Sequence, residues 1–186
     1  MATKSVFELP PFDEESGNLN VIVDTPQGSR NKFKYDPELK CFKLSHVMAE
    51  GLVFPFDFGF IPSTQGGDGD PLDALLLIEE PAFSGCLIKS RLIGVITADQ
   101  TVEGKTERND RFLAVAAESP RYKNVQDLKD LESLLLKQIE HFFVSYNEIR
   151  NRKFKVKRRL GAKQAKKILL TQSNSKEKEN EERQSK

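Results

Sequence analysis

The chain has no excess of either charge, since 29 Lys and Arg stand against 28 Asp and Glu. Binding of nucleic acid or membrane through an overall field is not indicated, so any electrostatic function must come from local clustering. Cysteine is scarce. Cys41 and Cys86 lie far apart, without a C-x-x-C or a neighbouring His pair, which argues against a disulfide framework or a zinc site and leaves reduced structural thiols. No segment approaches the ~18 consecutive apolar residues of a membrane span, and MATKSVFELPPFDEESG lacks a basic region followed by an apolar run. The expectation is a cytoplasmic protein with no membrane partner. No internal repeat occurs, and 186 residues suit one core domain.

From Asn20 to about Val115, short apolar, β-branched or aromatic runs are broken by Gly, Pro, Asp and Asn: Val21–Val23, Lys32–Tyr35, Cys41–Leu44, Val53–Ile61, Ala74–Ile78, Cys86–Thr97 and Phe112–Ala117. This spacing predicts a compact barrel or a strongly bent sheet. After Pro120, Leu128, Leu131, Leu135, Ile139, Phe142, Phe143 and Tyr146 recur at helical spacing with Asp127 as N-cap, predicting a long amphipathic helix. A second, short helix is expected over Ala162–Thr171. The fold class is therefore mainly β with packed helices (α+β), with residues 1–171 as one domain. Residues 172–186 carry no apolar side chain and read as a disordered polar tail.

The most informative segment is Gly66-Gly67-Asp68-Gly69-Asp70-Pro71-Leu72-Asp73, with three acids in six residues before the apolar run Ala74–Ile78. Such acids repel one another unless cations sit between them. An extended segment would put Asp68 and Asp70 on one side, and the glycines permit close approach of backbone and ligand. Oxygen donors alone favour Mg²⁺, Mn²⁺ or Ca²⁺ over zinc. An EF-hand loop starting at Asp68 fails, because Leu72 replaces a ligand, Asp73 replaces the required Gly, and no helix flanks the loop. A solvated acidic turn stays open on these residues alone.

Asp68-Gly69-Asp70-Pro71-Leu72-Asp73 matches the D-x-D-P-x-D signature of the soluble family I inorganic pyrophosphatases. The resemblance extends in order through Val21–Pro26, Gly28–Phe33, the aromatic stretch Phe54–Pro62, Leu92–Val95 and His141–Tyr146, covering roughly Asn20 to Asn151. It implies an OB-like five-stranded barrel, Mg²⁺ as cofactor, hydrolysis of inorganic diphosphate to two orthophosphates, and a homo-oligomer. Carried over by position, Asp68 and Asp73 would ligate metal, Asp70 would assist deprotonation of the attacking water, and Lys32 and Tyr146 would contact phosphate. Asp24 falls where the family has a metal-associated Glu. Anchoring on Leu113-Ala114-Val115 puts Arg111 at a substrate-binding Lys and Asn109 at an Asp, and leaves Asp99, Glu103 and Asp110 as the remaining candidate ligands.

The chain also departs from the family. Lys34 stands at a usual Glu, His46 at an Arg, Phe54 and Phe58 at Tyr, and Asn147 at a Lys. Lys34 lies two residues from Lys32 on an expected strand, so both can face the ligand, and Lys34 is read as a further substrate-binding cation. His141 reads as a packing or surface residue, and Phe54, Phe56, Phe58 and Phe60 as core or pocket wall. Arg150 to Lys167 holds ten Lys or Arg and no acid. It reads as a solvated face, with a polyanion-binding patch as the functional alternative; no nucleic-acid partner is otherwise expected. Two rival functions remain: hydrolysis of another phosphoanhydride, or metal and polyphosphate (or RNA) binding without turnover.

Overall fold

Val21, Ile22 and Val23 lie in β1 (Leu19–Thr25), a strand buried at all seven positions because it is paired along both edges and covered on both faces. The computed structural model describes residues 5–184, with side chains through Ser173. After β1 come a hairpin of β2 (Asn31–Asp36) and β3 (Cys41–Val47), then β4 (Asp57–Ile61), β5 (Leu72–Leu77), the long β6 (Leu87–Val102), β7 (Lys105–Arg108) and β8 (Arg111–Ala116). Helix α1 (Ser133–Glu148), β9 (Lys153–Gly161) and α2 (Ala162–Gln184) complete the order.

Pairing runs β1-β4-β5-β8-β6 and returns from β6 to β1. The result is an OB-like ring of five strands rather than a closed barrel. Only β5 and β8 pair in parallel. The ring needs one close approach: a Cβ at Gly59 of β4 would stand 2.1 Å from the Ile22 carbonyl oxygen of β1.

Alternation along the strands divides the core in two. Val21 and Val23, Ile61, Ala74 and Leu76, Val95, and Phe112 and Ala114 form a cluster drawn from all five ring strands, with Ala165 and Leu169 of α2 packed against it. The opposite parity, Leu75 and Leu77, Ile96 and Ala98, and Leu113 and Val115, packs under Leu136, Ile139, Phe142 and Phe143 of α1. Burying each such large side chain contributes about 1.5–3 kcal/mol.

Three local expectations change. Asp127 caps a single 3-10 turn, Leu128–Asp130, and α1 begins only at Ser133, because the backbone at Leu131 is extended (φ −89°, ψ 149°). The basic stretch contains β9, which pairs with β6 over Lys153–Gly161. Phe154 reaches the core, Lys157 pairs with Asp99 at 2.6 Å, and Arg159 pairs with Glu140 at 2.6 Å, so among the described residues two of the ten charges are paired with acids. Helix α2 runs past Thr171, and Ser173 is buried with its Oγ donating to the Leu169 carbonyl at 3.1 Å. The side chains of the rest of the proposed tail lie outside the described residues. No helix among the described residues is long and apolar enough to cross a membrane.

Candidate active site

The strand parity that packs under α1 turns polar at the strand ends. Asp73 shares the face of Leu75, Arg111 that of Leu113, and Gln100 that of Ala98, and all three line one cleft of about 320 Å³. The β2–β3 hairpin adds Lys32, Lys34 and His46, β1 adds Asp24, and the last turns of α1 add Phe143 and Tyr146. Asp68 and Asp70 come from a turn, not an extended segment. The Gly66 N–H donates to the Asp70 carbonyl at 2.7 Å, the Asp70 N–H donates to Asp68 Oδ1 at 3.2 Å, and Gly69 takes φ +82°. A left-handed residue here suits glycine.

Each acid in the cleft has a partner. Lys32 Nζ, half-buried, lies 2.6 Å from Oδ1 of the buried Asp24, Lys34 Nζ lies 2.7 Å from Asp70 Oδ2, and Arg111 Nη1 lies 2.7 Å from Asp73 Oδ2. Asp68 Oδ2 accepts only from the Asn109 amide, at 3.1 Å. Burial, then Asp73 and Asp70, pushes the Asp68 carboxyl above its ordinary range. Burial likewise pushes Asp24 up to about 6 against the opposing pull of Lys32. Phe58 and Phe54, which lack the hydroxyl of Tyr, face the Lys32 ammonium at 4.1 and 5.5 Å from their centroids. The rings can stabilise that cation by cation–π attraction.

His46 is no substitute for a cation. Burial, then Arg150, Lys32 and Arg152, lowers its pKa to about 4. Its Nε2 meets the Tyr146 hydroxyl at 3.1 Å, and Arg150 donates to the same hydroxyl at 2.8 Å. With the imidazole neutral and the phenol pKa raised by burial, all these groups are satisfied when Tyr146 donates to Nε2 and Nδ1–H faces Ser45 Oγ at 3.2 Å.

Asp24, Lys32, Lys34, Asp68, Asp70, Asp73, Arg111 and Tyr146 are thus brought together. Asp99 and Asp110 are not, because they fall on the opposite parity from Gln100 and Arg111. Asp99 pairs with Lys157, while Asp110 is buried, accepting from the Ala98 N–H and pairing with Arg108 at 2.6 Å. Glu103 sits in the β6–β7 turn, bordering an adjoining depression with Asp68 and Asp70. Asn147 does not line the cleft. Fully buried, it accepts from Gln100 and donates to the Phe143 carbonyl at 2.8 Å. Gln100 also accepts from Asn109 at 2.6 Å, so three amides back the acidic turn. Sequence reasoning missed Gln100, Arg150 and Arg152. The period of β6 could have exposed the first, but the two arginines are hidden in a basic run.

The donors suit a hard divalent cation, being carboxylate oxygens from Asp68, Asp70, Asp73 and Asp24, with Asp68 in no ion pair among the described residues. As arranged, no three His, Cys, Asp or Glu side chains among the described residues enclose a metal ion.

Residues 21–177 match the family described as Inorganic pyrophosphatase. An inorganic pyrophosphatase of a Synechocystis strain is 37% identical over 139 residues, covering 75% of this chain and 80% of that protein. Soluble inorganic pyrophosphatase 3 of Arabidopsis thaliana is 34% identical over 161 residues, covering 84% and 73%. The crystal structure of the Thermus thermophilus inorganic pyrophosphatase superimposes with a TM-score of 0.85 at 29% identity, covering 94% of this chain and 99% of that one. With the family match spanning most of the chain and the same fold carrying the acidic turn, the protein belongs to the inorganic pyrophosphatase family.

Proposed function

We propose that the protein hydrolyses inorganic diphosphate to two orthophosphates with Mg²⁺ as its ion. The observation that carries this reading is the convergence of Asp68, Asp70 and Asp73 with Lys32, Lys34 and Arg111 in one cleft. Bound at the carboxylates, the metal would screen phosphate oxygens and make an attacking water more acidic. Asp70 takes that water's proton. Lys34 holds its Oδ2, so Oδ1 is the accepting oxygen. Arg111 and Lys32 bind and orient the phosphates, and Tyr146, held by His46 and Arg150, contacts phosphate once its hydroxyl turns its one proton from His46 to a phosphate oxygen. Asp68, Asp73 and Asp24 would hold the metal, and Glu103 would contribute only from the rim. A cytoplasmic, homo-oligomeric protein completes the reading.

A second reading, binding without turnover, is favoured by Gln100 and Asn109, neutral amides beside the acidic turn. Phosphate release from diphosphate separates the two. Release with Mg²⁺ that stops in EDTA supports hydrolysis, and its absence at every Mg²⁺ concentration leaves the binding protein.

A further inference from the structure

The cleft is lined by five permanent cations, Lys32, Lys34, Arg111, Arg150 and Arg152, against four carboxylates, Asp24, Asp68, Asp70 and Asp73. A site that depended wholly on divalent ions for its affinity for a phosphate anion would be expected to show the reverse balance. Three of the cations are each held by a carboxylate. Arg150 and Arg152 have no carboxylate partner among the described residues. Arg150 donates to the Tyr146 hydroxyl at 2.8 Å with its guanidinium 5.4 Å from the ring centroid, which leaves other N–H groups for a ligand. Arg111 is 4% exposed, and its Nε has no hydrogen-bond partner among the described residues. The guanidinium carbon lies 5.0 and 5.2 Å from the ring centroids of Phe143 and Phe154, an apolar setting in which an unpaired donor is costly.

We propose that this cleft binds a condensed phosphate anion on its own cations, without a divalent metal, with Arg150 and Arg152 as the groups that supply the free positive charge. Both residues come from the turn between α1 and β9 and line the cleft, and Arg152 also borders the adjoining depression with Asp68 and Asp70. A diphosphate in the cleft can then meet Arg150 and Arg152 together with Lys34 and Arg111. Guanidinium groups suit this role, because they stay charged and pair two N–H donors with two phosphate oxygens. The divalent ion becomes a requirement of the chemical step more than of binding.

The choice of diphosphate rests on the proposed hydrolysis, and the test separates the two. Imidodiphosphate, which resists hydrolysis, is titrated calorimetrically into the full chain in EDTA at constant ionic strength, while phosphate release from diphosphate is followed in parallel with Mg²⁺. Saturable binding in EDTA is expected, and Arg150→Gln and Arg152→Gln should each weaken it by about tenfold. Arg152→Lys should recover part of that loss. Binding seen only with Mg²⁺, or binding in EDTA indifferent to both substitutions, overturns the inference even if hydrolysis is found. Binding in EDTA that responds to both substitutions sustains it even if no hydrolysis is found.

Discussion

Lys34 Nζ lies 2.7 Å from Asp70 Oδ2, tying the β2–β3 hairpin to the acidic turn through a half-exposed ion pair. Because the pair is solvated, it adds little to stability; its consequence is for the ligand. Lys34→Glu would set a carboxylate against Asp70 and remove a cation from the cleft. The KM for diphosphate should rise by about tenfold while the melting temperature stays nearly unchanged. Steady-state kinetics showing an equal or lower KM would make Lys34 a bystander.

Asp70→Asn should reduce kcat by about 10²–10⁴-fold, since an amide cannot accept the water's proton. The fold should survive, because Asp70 is exposed. Asp68→Asn and Asp73→Asn should instead raise the Mg²⁺ concentration needed for half-maximal rate. Activity of Asp70→Asn close to that of the natural chain would remove its assigned role.

Asp24 and His46 should tilt the acid side of the stability profile in opposite directions in EDTA. Folded Asp24 keeps its proton up to about 6 instead of 3.8, so its contribution is complete below 3.8 and is lost as pH rises to about 6. Folded His46 refuses a proton until about 4 instead of 6.5, so its contribution stands above 6.5 and is lost as pH falls to about 4. Asp24→Asn should therefore steepen the loss of stability toward acid, and His46→Gln should flatten it. Urea denaturation across this pH range measures both slopes, and identical slopes in the two variants would contradict the assignment.

Asn147→Lys restores the residue the family usually has, yet it should destabilise by about 1–3 kcal/mol. Asn147 is fully buried and linked to Gln100 and Phe143, so a longer charged side chain has to break both contacts. Combining it with Lys34→Glu and His46→Arg, which restores the family's usual residue at all three positions, should be limited by this cost. A melting temperature equal to that of the natural chain would show that the lysine finds another path to the cleft.

Gly59→Ala should cost more than about 3 kcal/mol or abolish soluble expression. The new Cβ would meet Ile22 backbone at 2.1 Å, which no rotamer can relieve. Thermal unfolding checks it, and a shift of a few degrees would mean that β1 and β4 can separate locally.

Local chemistry made the strand runs, the amphipathic helix and the acidic motif legible. Lys32 and Lys34 do share a face, as period two requires, and both reach the cleft. The same period, applied back from Arg111, would have placed Asp110 on the far face of the sheet; the irregular β6–β7 connection hid the register. β9 escaped notice because only Phe154 and Val156 alternate with lysines there, and a half-buried strand with so few apolar residues looks like a charged loop.

The sequence by itself determined most of the strands, the amphipathic helix and the crowding of three aspartates in one short segment, because periodicity and residue chemistry act over a few residues. Only the tertiary structure decided what those aspartates face. Lys34 and Arg111 meet Asp70 and Asp73, Asn147 turns inward, and Arg150 and Arg152 turn a basic run into one wall of the cleft. Contacts between residues 36 to 38 positions apart, as for Lys34 with Asp70 and Arg111 with Asp73, depend on strand order and register, which no local pattern encodes.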